Sequence, residues 1–258
     1  YFNSNKNFNT YIGFDSGYLR GNRNVAVGHS AFQAAFSVVD DSIAIGYEAG
    51  AAVTNAADRI VLIGREAGKT TQSVGHVAIG YQAGYSQTTG ADNTNIGYYA
   101  GYSNTTGGSQ VCIGYEAGKN ITGGVNTFVG AGAASGGTGA GYNNTSLGQN
   151  TLFNLSSGYA NTAVGRLAGN TTSTGHNNTM IGFDAEASSA TVSNEITLGN
   201  VAVTSLRIPG LQSGASDGDV LTFSSGTGNI TLQAAGGGGA SNLNGLSDCL
   251  VDTASLYV

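Results

Sequence analysis

Tryptophan is absent from this chain of 258 residues, and proline and methionine occur once each. Charged residues are scarce as well, at 9% against roughly 25% in typical globular domains. Nine Lys and Arg face fifteen Asp and Glu, giving a net charge of −6. No basic cluster exists to neutralise a phosphate backbone, so no nucleic acid is expected as a partner. No run of about 18 apolar residues occurs, and no membrane insertion is expected of this segment. Cys112 and Cys249 are the only cysteines, too few for a disulfide framework. Both are expected to be free thiols, with Cys112 buried or half-buried. The chain opens on a polar, Asn-rich stretch resembling neither a signal peptide nor a natural start, and it stops mid-pattern at Leu256-Tyr257-Val258. It reads as a piece of something longer.

What is abundant is glycine, with 43 residues. High glycine and low charge suit disorder, but hydrophobic residues make up 40% of the chain and are regularly spaced. Glycine here punctuates short apolar runs, as tight turns require. A branched aliphatic residue followed by Gly recurs at Gly13, Gly28, Gly46, Gly64, Gly80, Gly97, Gly114, Gly130, Gly148, Gly165, Gly182 and Gly199. The spacings run from 15 to 18 residues, so these twelve structural repeat anchors define a period near 17.

Counting from each anchor Gly, position −1 is always Ile, Val or Leu, and position −3 is always Thr, Val or Ile. Position −2 varies freely, from Ala44 to Asn95 to Phe128. Restriction at every second residue is the mark of a strand with one constrained face. The expectation is that −1 and −3 point into the core and that −2 faces outward. Seven copies carry Asn at −4, a residue that hydrogen-bonds locally and turns the chain into a strand. Ten of twelve carry Ala at +3, usually followed by Gly, which suggests a flat small-residue face for another chain.

A unit of 17 residues holds two short strands and two turns, and cannot bury a core alone. Stacking like on like gives a parallel β-solenoid, here of about twelve coils and roughly 50 Å at the spacing of paired strands. Helical repeats need 33 residues or more, and propeller blades about 40. The thinness of one coil, with the apparent flat face, favours a closed assembly of several chains.

The run Asn93-Thr94-Asn95-Ile96-Gly97-Tyr98-Tyr99-Ala100-Gly101 resembles the head repeat of trimeric autotransporter adhesins, the YadA-like head, in the longer form of marine bacteriophage tail fibres. The resemblance covers roughly residues 8–202. It implies an all-β, left-handed parallel β-roll, a homotrimer packed about one axis, and an extracellular fibre segment serving host attachment. The period is longer than that of adhesin heads and no membrane-anchoring barrel is present, which points to a virion tail fibre first. A bacterial surface adhesin or filament is the alternative. The expected organisation is a repeat β-roll over 1–202, a β-rich connector over 203–235 with strand-like runs at 219–223 and 229–233, a glycine linker at 236–239, and the start of a further module at 240–258.

Chemistry-bearing motifs are sparse. The run Gly64-Arg65-Glu66-Ala67-Gly68-Lys69-Thr70 falls one residue short of a phosphate-binding loop, and it lies in register with Gly114 to Asn120, so the repeat itself accounts for it. The pairs Asp40-Asp41 and Asp217/Asp219 lack calcium-loop spacing and read as solvated turns. The chain is read as no enzyme, with no cofactor and no metal. His29, His76 and His176 occupy different repeat positions and read as surface residues. Inward-facing Asn at −4 would form rings about a three-fold axis, which the related adhesins use for anions, though plain turn and ladder duty is the commoner role. Aromatics follow the anchor in half the copies, and Tyr47, Tyr81, Tyr98 and Tyr115 are the candidate carbohydrate contacts for a cell-surface glycan or receptor. Eight Asn-x-Ser/Thr triplets occur, as expected by chance in so Asn- and Thr-rich a chain.

Overall fold

A computed structural model describes residues 8–34, 38–54, 57–206, 220–223 and 230–233. The chain divides into two compact units, Tyr1–Ala202 and Val203–Val258. In the first, every anchor glycine is preceded by a three-residue strand. These are β1 (Thr10–Ile12), β2 (Val25–Val27), β3 (Ile43–Ile45), β4 (Val61–Ile63), β5 (Val77–Ile79), β6 (Thr94–Ile96), β7 (Val111–Ile113), β8 (Thr127–Val129), β9 (Thr145–Leu147), β10 (Thr162–Val164), β11 (Thr179–Ile181) and β12 (Ile196–Leu198). They form one parallel sheet in strict sequence order, each pairing with the next at the same repeat position, as in Thr94↔Val111 and Ile96↔Ile113. The unit is therefore a parallel β-solenoid of about eleven turns, with no helix among the described residues. Coils are numbered below by the strand they contain.

Only one strand per coil forms among these residues, where two were expected. The rest of each coil is a chain of corners that hydrogen-bond from coil to coil instead. The amide at +4 donates to the +3 carbonyl of the next coil, as Gly84 does to Ala100 at 2.9 Å and Gly101 to Ala117 at 2.9 Å. The amide at +2 donates to the +1 carbonyl of the preceding coil, as Tyr99 does to Tyr81 at 3.0 Å. Left-handed residues at −5 and +2 turn the corners, for example Asp92 (φ 57°) and Tyr99 (φ 55°). Such positions suit Gly and Asn best and strain other residues, so the repeated hydrogen bonding has to hold them in place.

The anchor glycines have a steric cause. Gly97 has φ 137°, and a Cβ built there would lie 2.3 Å from the carbonyl oxygen of Gly114. The same contact recurs from Gly13 to Gly165, each glycine against the carbonyl of the next. No side chain fits between coils at this position.

The facing of the strands is the reverse of the expectation. In β2 through β11 the middle residue, −2, is buried, while −3 and −1 are partly or largely exposed. Leu62, Ala78, Asn95, Cys112, Phe128, Ala163 and Met180 line the interior. Their variety reflects filling across neighbouring levels: a bulky Phe128 in coil 8 lies between Cys112 and Ser146 in the coils on either side. The uniform −1 and −3 columns stand on the outer face, where each β-branched residue meets its like one rung away. The Ala column at +3 is likewise interior, from Ala31 through Ala185, so it offers no face to another chain.

Inside, Asn at −4 ties the coils together with both arms. Asn161 donates through Nδ2 to the Gly175 carbonyl at 2.8 Å and accepts through Oδ1 from the Asn178 amide at 3.0 Å. Asn9, Asn24, Asn93, Asn126, Asn144 and Asn178 make the same pair of bonds to the following coil. The series ends at Glu195, whose carboxylate turns aside to accept from the Ser188 amide at 2.8 Å and hydroxyl at 2.6 Å. The Ser188 contacts hold Glu195 below the usual carboxylate range.

In the second unit β13 (Val220–Phe223) and β14 (Ile230–Gln233) pair antiparallel. The glycine linker, the 240–258 segment, Asp217 and Asp219, and Cys249 lie outside the described residues.

Two substitutions test this arrangement. Gly97→Ala should abolish the single cooperative thermal transition, because neither the φ nor the contact with Gly114 admits a Cβ. Phe128→Ala removes the largest interior side chain of coil 8 and should cost about 3–5 kcal/mol in denaturant unfolding.

Candidate functional surfaces

The largest feature open to a partner is the outer face of the 12-stranded sheet. It consists of the −3 and −1 columns, all Ile, Val, Leu or Thr, with no charged residue in any coil. Exposure is 37% at Ile45, 36% at Ile113 and 44% at Ile181. Each half-exposed Ile or Val in water forgoes on the order of 1 kcal/mol that burial would provide. An uncharged, largely apolar stripe of this kind is a candidate interaction face.

Beside it runs the +1 column. Phe14, His29 and Tyr47 stack at 5.5 and 5.3 Å between centroids, the Arg65 guanidinium lies over Tyr47 and Tyr81, and Tyr81, Tyr98 and Tyr115 stack at 5.0 and 5.3 Å. Tyr47, Tyr81 and Tyr98 therefore spend both ring faces on neighbours and turn their edges outward. Tyr115 stacks on Tyr98 alone, since coil 8 carries Ala131 at this position, and it is 55% exposed. A second stack, Tyr142, Tyr159 and His176, lies at the −6 position of coils 9 to 11.

The near-match to a phosphate loop is a corner of coil 4. Lys69 pairs with Glu48 at 2.6 Å and Glu66 at 3.0 Å, and the Glu48 contact raises its pKa well above the lysine range. Glu66 is partly desolvated, but bonds from Gln82 and Lys69 overcome this and hold it below its ordinary value. Asp41 pairs with Arg23 one coil away, while Asp40 accepts from the Asn22 amide at 2.5 Å. Among the described residues no group of three or more His, Cys, Asp or Glu is placed to hold a metal, and no helix is long and apolar enough to cross a membrane.

One residue from an Asn-x-Ser/Thr triplet and one read as a surface group are interior. Asn104, within an Asn-x-Thr triplet, is fully buried and donates to the Gly107 carbonyl and Gln110 Oε1, whereas Asn143 and Asn154 are exposed. His76 occupies the −4 position that Asn takes in seven other coils and is fully buried, which corrects its reading as a surface histidine. The sequence signal was its alignment with the Asn column. His29 and His176 are partly exposed. Cys112 is buried and free, and burial pushes its thiol pKa well up.

Burial lowers the His76 pKa to about 4. Of the buried polar residues of coils 4 to 6, Thr71, Ser73, Gln87, Asn93, Asn95 and Asn104 are uncharged, and Glu66 is engaged by Lys69 and Gln82. The folded protein thus holds His76 neutral while the unfolded chain protonates near 6.5, so its contribution is fully present above pH 6.5 and lost as pH falls toward 4. The free energy of unfolding, measured by denaturant titration, should drop across that window by on the order of 3 kcal/mol, and His76→Asn should flatten the profile.

Comparison with protein-family models, curated proteins and solved structures returns no match to this chain.

Proposed function

We propose that this chain is a non-catalytic structural segment of an extracellular homotrimeric fibre, of the kind a bacteriophage tail uses to attach to its host. The observation that carries it is the outward apolar face of the sheet, uncharged through all twelve coils. A copy of the same chain matches that face rung for rung, because both repeat at the spacing of paired strands. Closed cyclic symmetry uses one such face per chain and leaves no open patch. Period and patterning do not choose three over two; the likeness of the repeat to trimeric fibre heads does.

In this reading the stacked aromatic column stiffens the rod, and Tyr115 is the ring of the four candidates with a face open to a glycan. A bacterial surface adhesin of the trimeric autotransporter type would use the same face in the same way, and flanking sequence separates the two.

Light scattering on the purified chain should give three times its monomer mass. Ile96→Asp, on the outer face, should leave the β-sheet circular dichroism intact and release monomers, since an unpaired charge buried at the interface costs several kcal/mol. Asn95→Asp, one residue away and interior, should instead damage folding of the coil. A wild-type chain that is a stable monomer refutes the trimer.

A further inference from the structure

Where a coil carries glycine at +4, the glycine leaves a gap that a larger interior side chain fills. A Cβ at Gly50 would meet Phe32 and Leu62, one at Gly68 would meet Leu62, one at Gly118 would meet Cys112 and Phe128, and one at Gly169 would meet Leu152 and Met180. In coils 5 and 6 the fillers are polar. A Cβ at Gly84 would lie 2.5 Å from His76 Nε2 and 3.0 Å from Asn95 Nδ2, and one at Gly101 would lie 2.1 Å from Asn95 Oδ1. The apolar core breaks at the same place, one cluster ending at Ala83 and the next starting at Ala100.

His76 and Asn95 are both fully buried, and none of their four polar side-chain atoms has a hydrogen-bond partner within the protein. Thr71 Oγ1 and Gln87 Oε1, one in coil 4 and one in coil 5, are also unpaired. Apart from these, only the Tyr11 hydroxyl is so placed among the described residues. Other interior polar groups find partners: Ser146, at the repeat position of Asn95, bonds to Thr151, and Asn104 bonds to Gln110. Buried polar atoms left unpaired are costly, and His76 and Asn95, which meet at Gly84, point to a shared partner.

We infer that coils 4 to 6 enclose an internal hydration site, in which ordered water bridges His76 and Asn95 and extends toward Thr71 and Gln87. Water both donates and accepts, as a neutral imidazole and a carboxamide together require. The interior here holds no charged side chain to balance an ion, since the Glu66 carboxylate is engaged by Lys69 and Gln82. The adjoining interior positions, Ala78, Ala83 and Ala100, are small.

The test is a crystal structure of the chain at a resolution that shows ordered water, beside that of a His76→Ile, Asn95→Ala variant. Those replacements are the residues coil 4 carries at −4 (Ile60) and coil 5 at −2 (Ala78). Wild type should show a water within hydrogen-bond distance of His76 Nε2 and the Asn95 amide. The variant should lose that peak and melt several degrees higher. A direct His76–Asn95 bond with a dry interior overturns the inference, and so does a peak too electron-rich for oxygen. Should the variant fail to fold, water-to-amide cross-relaxation at Gly84 and Gly101 in the wild type decides: a long-lived water signal supports the site, and its absence overturns it.

Discussion

The approach of each anchor glycine to the next coil's backbone, too close to admit a Cβ, sets the terms for everything around it. That approach lets successive coils sit at strand-pairing distance while the chain leaves the sheet at a φ near 130°. Because it recurs once per coil, it fixes the register of every strand. With the register fixed, −1 and −3 become continuous outer columns and −2 becomes an interior one. The Asn bonds, the aromatic stacks and the apolar face all follow as columns of the same lattice.

Periodicity made the solenoid legible before any coordinates, since twelve anchors in register leave little choice of architecture. The facing of the strands was less legible, and the reason is physical. Uniformity in a column is the demand of like stacking on like, which is strongest on a flat outer face such as that of Ile79, Ile96 and Ile113. A narrow interior asks only that volumes at adjacent levels add up, so Ala78, Asn95, Cys112 and Phe128 share one column. Constraint in the sequence marked the ladder, and variability marked the core. The Ala column at +3 misled for a related reason, because smallness there serves the interior of a thin coil.

The polar residues divide in the same way. Asn at −4 announced ladder duty by repetition, and its two arms are both spent on the following coil. His76 stood alone in sequence, and only its register with the Asn column placed it inside. At His76, Asn95 and Glu195 the stack changes character: an interruption of the apolar core in coils 5 and 6, and an end to the Asn series in coil 12.

The Asn brackets also give the rod a polarity. Each one reaches from its own coil to the carbonyl and amide of the coil that follows, so the two ends differ in what they offer. At the N-terminal end a coil reaches forward with both arms of Asn9; at the C-terminal end Glu195 turns its carboxylate sideways. A ribosome delivers the chain in that same order, and wherever a coil carries this Asn the coil that emerges next meets a donor and an acceptor already held by its predecessor. The solenoid is thus a templated polymer in one dimension, with a reading direction written into a single repeat position.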